Sequence, residues 1–125
     1  MNMKHLNAWT IVLFLLSFTT IKAQSNHEAR KMTVEEHAHA ITEWMTQELN
    51  LSPEQVVVVD SINLLFTKAQ QIIFQSADGN REKVREMMVA LEKEKEISLA
   101  KVLTDDQLIL YREKRDEMIL SRRRL

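Results

Sequence analysis

At 125 residues the chain has room for one domain, and 17 basic against 18 acidic side chains leave a net charge of −1. Basic and acidic residues are interspersed along the sequence, which argues against a general nucleic-acid binder. The absence of cysteine excludes a structural disulfide, thiol catalysis, a thiolate zinc site and a lipid anchor on Cys, while one Gly and one Pro leave few turns for a β-rich fold, so the expected class is all-α.

The chain opens with a lightly basic stretch, residues 1–5, followed by an uncharged apolar run over residues 8–21. That run is short for a bilayer span, which takes about 20 apolar residues. Lys22, Ala23, Gln24 and Ser25 follow, so residues 1–23 are expected to be a signal peptide cleaved after Ala23, the alternative being an uncleaved anchor. Processing would remove Lys4 and Lys22 and no acid, leaving 15 basic against 18 acidic residues, a net −3. The exported form would then carry no membrane span. Residues 24–32 are polar and expected to form a flexible leader.

Thr33 opens the first helix with a capping box to Glu36, and Val34, Ala38, Ile41, Met45 and Leu49 recur as one apolar stripe. Asn50 is a suitable left-handed terminator, with Leu51 folding back on the last turn. A second helix is predicted from Pro53 to about Ser76. Val58, Val59, Ile62, Leu65, Phe66, Ala69, Ile72 and Ile73 share an arc of roughly 140° and are expected to face the core. Val57 and Leu64 lie off that arc among polar residues, and Val56 and Phe74 point in a third direction.

After an Asp78, Gly79, Asn80 turn, a third helix is predicted from near Asn80 to about Val102. Val84, Met87, Met88, Leu91, Leu99 and Val102 are expected inward, residues 92–96 mostly solvated, and Val89, Ile97 and Ala100 away from the stripe. The fourth helix should run from Asp105 to about Ser121, burying Leu108, Tyr111, Met118 and Ile119, with Ile109, Leu110 and Leu120 diverging. Arg115 falls inside its apolar arc, where the stem can lie on carbon while the guanidinium reaches an acid or water. The basic end, residues 122–125, would neutralise the negative end of this helix or meet an acidic partner.

Two five-residue marks sit 52 positions apart, Leu51-Ser52-Pro53-Glu54-Gln55 and Leu103-Thr104-Asp105-Asp106-Gln107. In each, the hydroxyl of Ser52 or Thr104 can accept from the backbone N–H of Gln55 or Gln107, whose side chain reaches back to the cap's own N–H. Pro53 suits the first helical position, and Glu54, Asp105 and Asp106 favour the positive end of the new helix. Each mark therefore ends one helix and starts another at once.

With these paired motifs, a signal peptide and four helices, residues 33–121 resemble the LTxxQ-motif family of Spy and CpxP periplasmic proteins. The resemblance implies a hooked, elongated all-helical protomer, an antiparallel homodimer shaped like a shallow cradle, and a role in the envelope stress response. It also implies an ATP-independent chaperone that holds unfolded or partly folded envelope proteins in the periplasm, or a metal-binding or sensor-kinase-damping regulator. The first copy departs from the strict motif by carrying Ser52 and Pro53.

The last three helices carry more apolar residues than one stripe can hide, and a domain of about 100 residues has a limited core, so the spare side chains must meet a second subunit, meet a client or stay exposed. Val57, Leu64, Phe74, Val89 and Ile97 are the candidates for such a client or dimer surface. No arrangement of nucleophile, base and orienting acid is present and no Gly-rich phosphate loop, so no enzymatic activity is expected. His37 and His39 are two apart and point in different directions on a helix, whereas Glu35, His39 and Glu43 stack at four-residue steps. That trio is either an ordinary solvated face or a loose site for zinc, nickel or copper, and no other cofactor is expected.

Overall fold

The computed structural model describes residues 31–122, so the expected signal peptide, all of the leader but Lys31 and Met32, and the last three residues lie outside the described part. It contains four α-helices and, among the described residues, no strand: α1 (Val34–Leu49), α2 (Pro53–Ser76), α3 (Arg81–Ala100) and α4 (Asp105–Arg122). They belong to a single unit beginning at Met32. α1 packs on α2, α2 on α3, and α4 on both α1 and α3.

Helix boundaries follow the local chemistry. Thr33 accepts from Glu36 N at 3.1 Å and donates its own N–H to Glu36 Oε2 at 2.8 Å, the reciprocal box expected there. α1 stops at Asn50, which is left-handed (φ 51°, ψ 55°), and both Asn50 and Leu51 donate their N–H to Thr46 O. Leu51 is buried, so the chain folds back as expected. Between α2 and α3, Asp78 and Gly79 both have positive φ (45° and 76°), a conformation in which a side chain at Gly79 would be strained whatever the free space. Asn80 then caps α3 by accepting from Lys83 N at 3.1 Å.

The core gathers where α1 and α3 end and α2 and α4 begin. Met45, Leu49, Leu51, Val59, Leu99, Leu103 and Tyr111 form one buried cluster, with Ile41, Trp44, Val56, Ile62, Val102, Leu108 and Leu110 packed against it. A second run of buried residues, Ala38, Thr42, Asn63, Phe66, Thr67, Ile73 and Ala77, continues along α1 and α2, whereas α3, described throughout, fully buries Leu99 alone.

Several expected faces are corrected. On α2 the buried face is Val59, Asn63, Phe66, Thr67 and Ile73, while Val58, Leu65 and Ile72, assigned to the core above, are exposed. The apolar arc was wider than α1 can cover, and the helix settles with one edge inward and the other in solvent. Leu64 is half-buried rather than projecting, Leu110 packs on the core instead of diverging, and Ile119 and Met87 are exposed instead of buried. The two arcs also explain why α2 is long and apolar enough to cross a membrane by composition alone: its most apolar window has mean hydropathy 1.3, yet only 28% of it is buried.

Polar residues fill part of the α1–α2 interface. Asn63 is fully buried and donates to Thr42 Oγ1 at 3.0 Å, with Met45 Sδ at 3.5 Å. Thr42 donates on to Ala38 O, and Thr67 to Asn63 O, so most of these groups are satisfied inside the fold. Asn63 Oδ1 is buried without a protein partner.

Candidate functional site

The two marks in the sequence meet. Gln55 Nε2 donates to Gln107 Oε1 at 2.7 Å and Gln107 Nε2 donates to Gln55 Oε1 at 3.1 Å, a reciprocal pair of carboxamides. Each oxygen also closes its own capping box, accepting from Ser52 N or Thr104 N at 3.0 Å. Each nitrogen also reaches a carbonyl at the end of a helix of the other half, Gln55 to Val102 O at 3.0 Å and Gln107 to Leu49 O at 3.3 Å. Ser52 Oγ and Thr104 Oγ1 accept from Gln55 N and Gln107 N at 3.2 Å. Leu51 and Leu103, the leading residues of the marks, are both buried in the core cluster.

Every donor and acceptor of the two side-chain amides is thus used, and four helix termini are tied at one point. Amide donors and acceptors can pair reciprocally in this way because each carboxamide carries both functions. The arrangement is a structural joint, with no atom left over for chemistry.

Beside the joint, α3 and α4 are clasped by charge. Arg115 Nη1 lies 3.0 Å from Glu92 Oε1 and 2.9 Å from Glu96 Oε1, and its guanidinium carbon sits 5.7 Å from the centre of the Tyr111 ring. Tyr111 donates its hydroxyl to Glu92 Oε1 at 3.0 Å, and Arg112 Nε reaches Glu96 Oε1 at 3.1 Å. The expectation for Arg115 holds, but that for Glu92 and Glu96 is corrected: they are half-buried partners in this clasp. Burial, then the adjacent Glu92 charge and its hydrogen bond, raise the Tyr111 hydroxyl above its ordinary value of 10.0. For Arg115, burial alone would lower the guanidinium, yet hydrogen bonds to Glu92 and Glu96 leave it raised. Lys95 is lowered, chiefly by burial, with repulsion from Arg115 adding and attraction from Glu92 opposing.

The proposed metal trio is only partly assembled. His39 Nε2 lies 3.5 Å from Glu43 Oε1, but its other nitrogen faces Asp60 Oδ1 of α2 at 3.6 Å, so its two acidic neighbours stand on opposite sides of the ring. Glu35 does not join them, and among the described residues no group of three or more such side chains is placed to hold an ion. A shallow depression between α1 and α4 is lined by Trp44, Glu48, Lys114, Glu117 and Met118, with Lys114 Nζ 3.5 Å from Glu48.

The candidate surface residues do stand out. Val57 (68% exposed), Phe74 (62%), Ile97 (61%) and Val89 (52%) are all uncovered, and Leu65 (65%) and Ile72 (63%) join them. Leu65 and Ile72 were missed as surface residues; their seven-residue spacing, shared with Val58, marks a ridge that could have been read as a second seam.

Residues 23–111 match the model of a family described as a domain of unknown function (DUF4890), and the chain belongs to that family. No curated protein and no solved structure matches the chain.

Proposed function

We propose that this DUF4890 member is an exported, ATP-independent holder of partly unfolded envelope proteins, acting as a hooked, dimeric helical cradle. The observation that carries this reading is the set of large apolar side chains, Val57, Leu65, Ile72, Phe74 and Ile97, standing in solvent among charged residues on two helices. Single exposed apolar residues are ordinary, but Val57, Leu65 and Ile72 share one side of α2, and a run of that kind suits a docking partner. Each contact contributes on the order of 1–3 kcal/mol at full burial, so a client touching a few of them binds weakly and over many geometries. Weak, distributed binding permits release without an energy source. The family resemblance of the paired motifs supports the same reading.

The test is an aggregation assay with a chemically denatured client and the protein at equal or higher ratio. Protection that falls when Phe74 and Ile97 are both changed to Ser is the expected result; no protection at any ratio overturns the proposal. A second reading, a metal-responsive or kinase-damping regulator, draws on the His39–Glu43 pair. Calorimetry with zinc, nickel and copper should then show heat that His39→Ala abolishes, and equal traces for the two proteins would remove it.

A further inference from the structure

Charge is distributed unevenly over the helices. α1 carries Glu35, Glu36, Glu43 and Glu48 and neither lysine nor arginine, so with its histidines neutral it holds four negative charges along 16 residues. One wall of the depression between α1 and α4 belongs to this helix. The depression is about 310 Å³, near the lower end of the ~300–1,000 Å³ range of ligand pockets, which gives room for one long side chain. Its apolar part is Trp44 and Met118, both half-buried, and the packing of Trp44 on the core cluster fixes the indole in place. Its polar part is Glu48 from α1 and Glu117 from α4, with the Lys114 ammonium between them, 3.5 Å from Glu48 Oε2 and 3.9 Å from Glu117 Oε2. Both separations exceed the ~2.7–2.9 Å of a charge-assisted hydrogen bond, so neither carboxylate is tied tightly to the lysine. Two carboxylates share one ammonium, which leaves a negative charge over beside an aromatic ring. The position of Lys114 shows that the cleft accepts a cation, and its long contacts leave that cation open to exchange.

We propose that this cleft takes an arginine side chain of a partner polypeptide. A guanidinium is planar, so it stacks on an indole, is permanently charged, and gives two parallel N–H bonds to a carboxylate, whereas an ammonium offers only a point charge. Glu48 and Glu117 accept those bonds, Lys114 swings out to solvent on its flexible stem, and the aliphatic part of the arginine lies against Met118. The negative field of α1 draws basic segments toward the cleft and makes the encounter sensitive to salt. The proposal goes beyond the holder reading, whose apolar residues lie on α2 and α3 and not in this cleft.

Trp44 reports on the test directly. The sequence has two tryptophans, so in the full chain carrying Trp9→Phe the indole emission comes from Trp44 alone. The probe is acetyl-Ala-Arg-Leu-amide, titrated at low salt against the same peptide with citrulline, the uncharged isostere, in place of arginine. The arginine peptide should change the emission saturably, with the citrulline peptide binding about tenfold more weakly or worse. Glu48→Gln combined with Glu117→Gln should weaken the arginine peptide by a similar factor, while Lys114→Met should tighten it about threefold or more because the resident cation no longer competes. Thermal unfolding of each variant checks that the fold is kept. No saturable change, equal binding of the citrulline peptide, or binding that Lys114→Met leaves unchanged or weakens overturns the proposal. Deleting residues 123–125, which hold two arginines of the chain itself, should leave the affinity unchanged. A tightening would assign the cleft to the chain's own end and overturn the choice of a partner.

Discussion

The joint around Gln55 and Gln107 and the length of α3 differ sharply in what holds them. At the joint, Met45, Val59 and Leu99 are completely shielded from solvent and every amide of the glutamine pair is used. Along α3, Leu99 is the single fully buried residue, and the helix is held by its contact with α2 and by the Arg115 clasp from α4. Stability is therefore concentrated at the joint and along the inner face of α2, leaving the outer side of α2 and much of α3 free to carry apolar residues that do not support the fold. A surface on which little stability depends can change partners at little cost.

The contrast is broken most strongly by truncating the core. Leu99→Ala should cost about 2–5 kcal/mol in urea unfolding, the range for large-to-small changes at fully buried sites, whereas Leu65→Ala or Ile97→Ala should stay within about 0.5 kcal/mol. Equal losses at both places would refute the division. Next in size is the joint itself: Gln55→Ala and Gln107→Ala each leave buried or half-buried partners unpaired, for about 1–3 kcal/mol apiece. Their double mutant should cost less than the two added together, with a coupling of roughly 0.5–3 kcal/mol, and strict additivity would show that the carboxamides do not act as a unit.

A smaller effect is expected from the clasp. Tyr111→Phe removes one hydrogen bond to Glu92, worth about 1–2 kcal/mol near neutral pH. Since the folded hydroxyl is raised above 10.0, the native state holds this proton more tightly than the unfolded chain. Its stabilisation is complete below pH 10 and is lost as pH climbs above it, so the wild-type unfolding midpoint should fall in strong alkali faster than that of Tyr111→Phe. Parallel pH profiles would rule out the titration. The smallest change, and one of either sign, belongs to Asn63→Leu: the residue is buried, its Oδ1 has no protein partner, and Thr42 keeps its bond to Ala38 O. An apolar side chain of similar size should leave thermal stability unchanged or raise it, and a loss above about 2 kcal/mol would show that the Asn63–Thr42 bond supports the α1–α2 contact.

Where each helix starts and stops was legible in the chain, because capping residues act on backbone groups only two or three positions away. Thr33 with Glu36, Ser52 with Gln55, Thr104 with Gln107, Asn50 and the Asp78–Gly79 turn all do what their residue types dictate. The uncovered state of Val57, Phe74, Val89 and Ile97 matched their positions off any single stripe, but Leu64 and Leu110, placed off-stripe on the same ground, came out half-buried and packed on the core.

Three matters were decided only by the packing of helices distant in the chain. Periodicity showed that α2 has a broad apolar arc but not which edge of it α1 would cover, so Val58, Leu65 and Ile72 came out in solvent and Asn63 and Thr67 in the core. Glu92 and Glu96 read as a solvated run until α4 brought Arg115 and Tyr111 against them. Each glutamine was visible as the far corner of its own cap, but a side chain's spare donor and acceptor carry no address. Only the meeting of four helix ends put Gln55 and Gln107 within reach across 52 positions of chain.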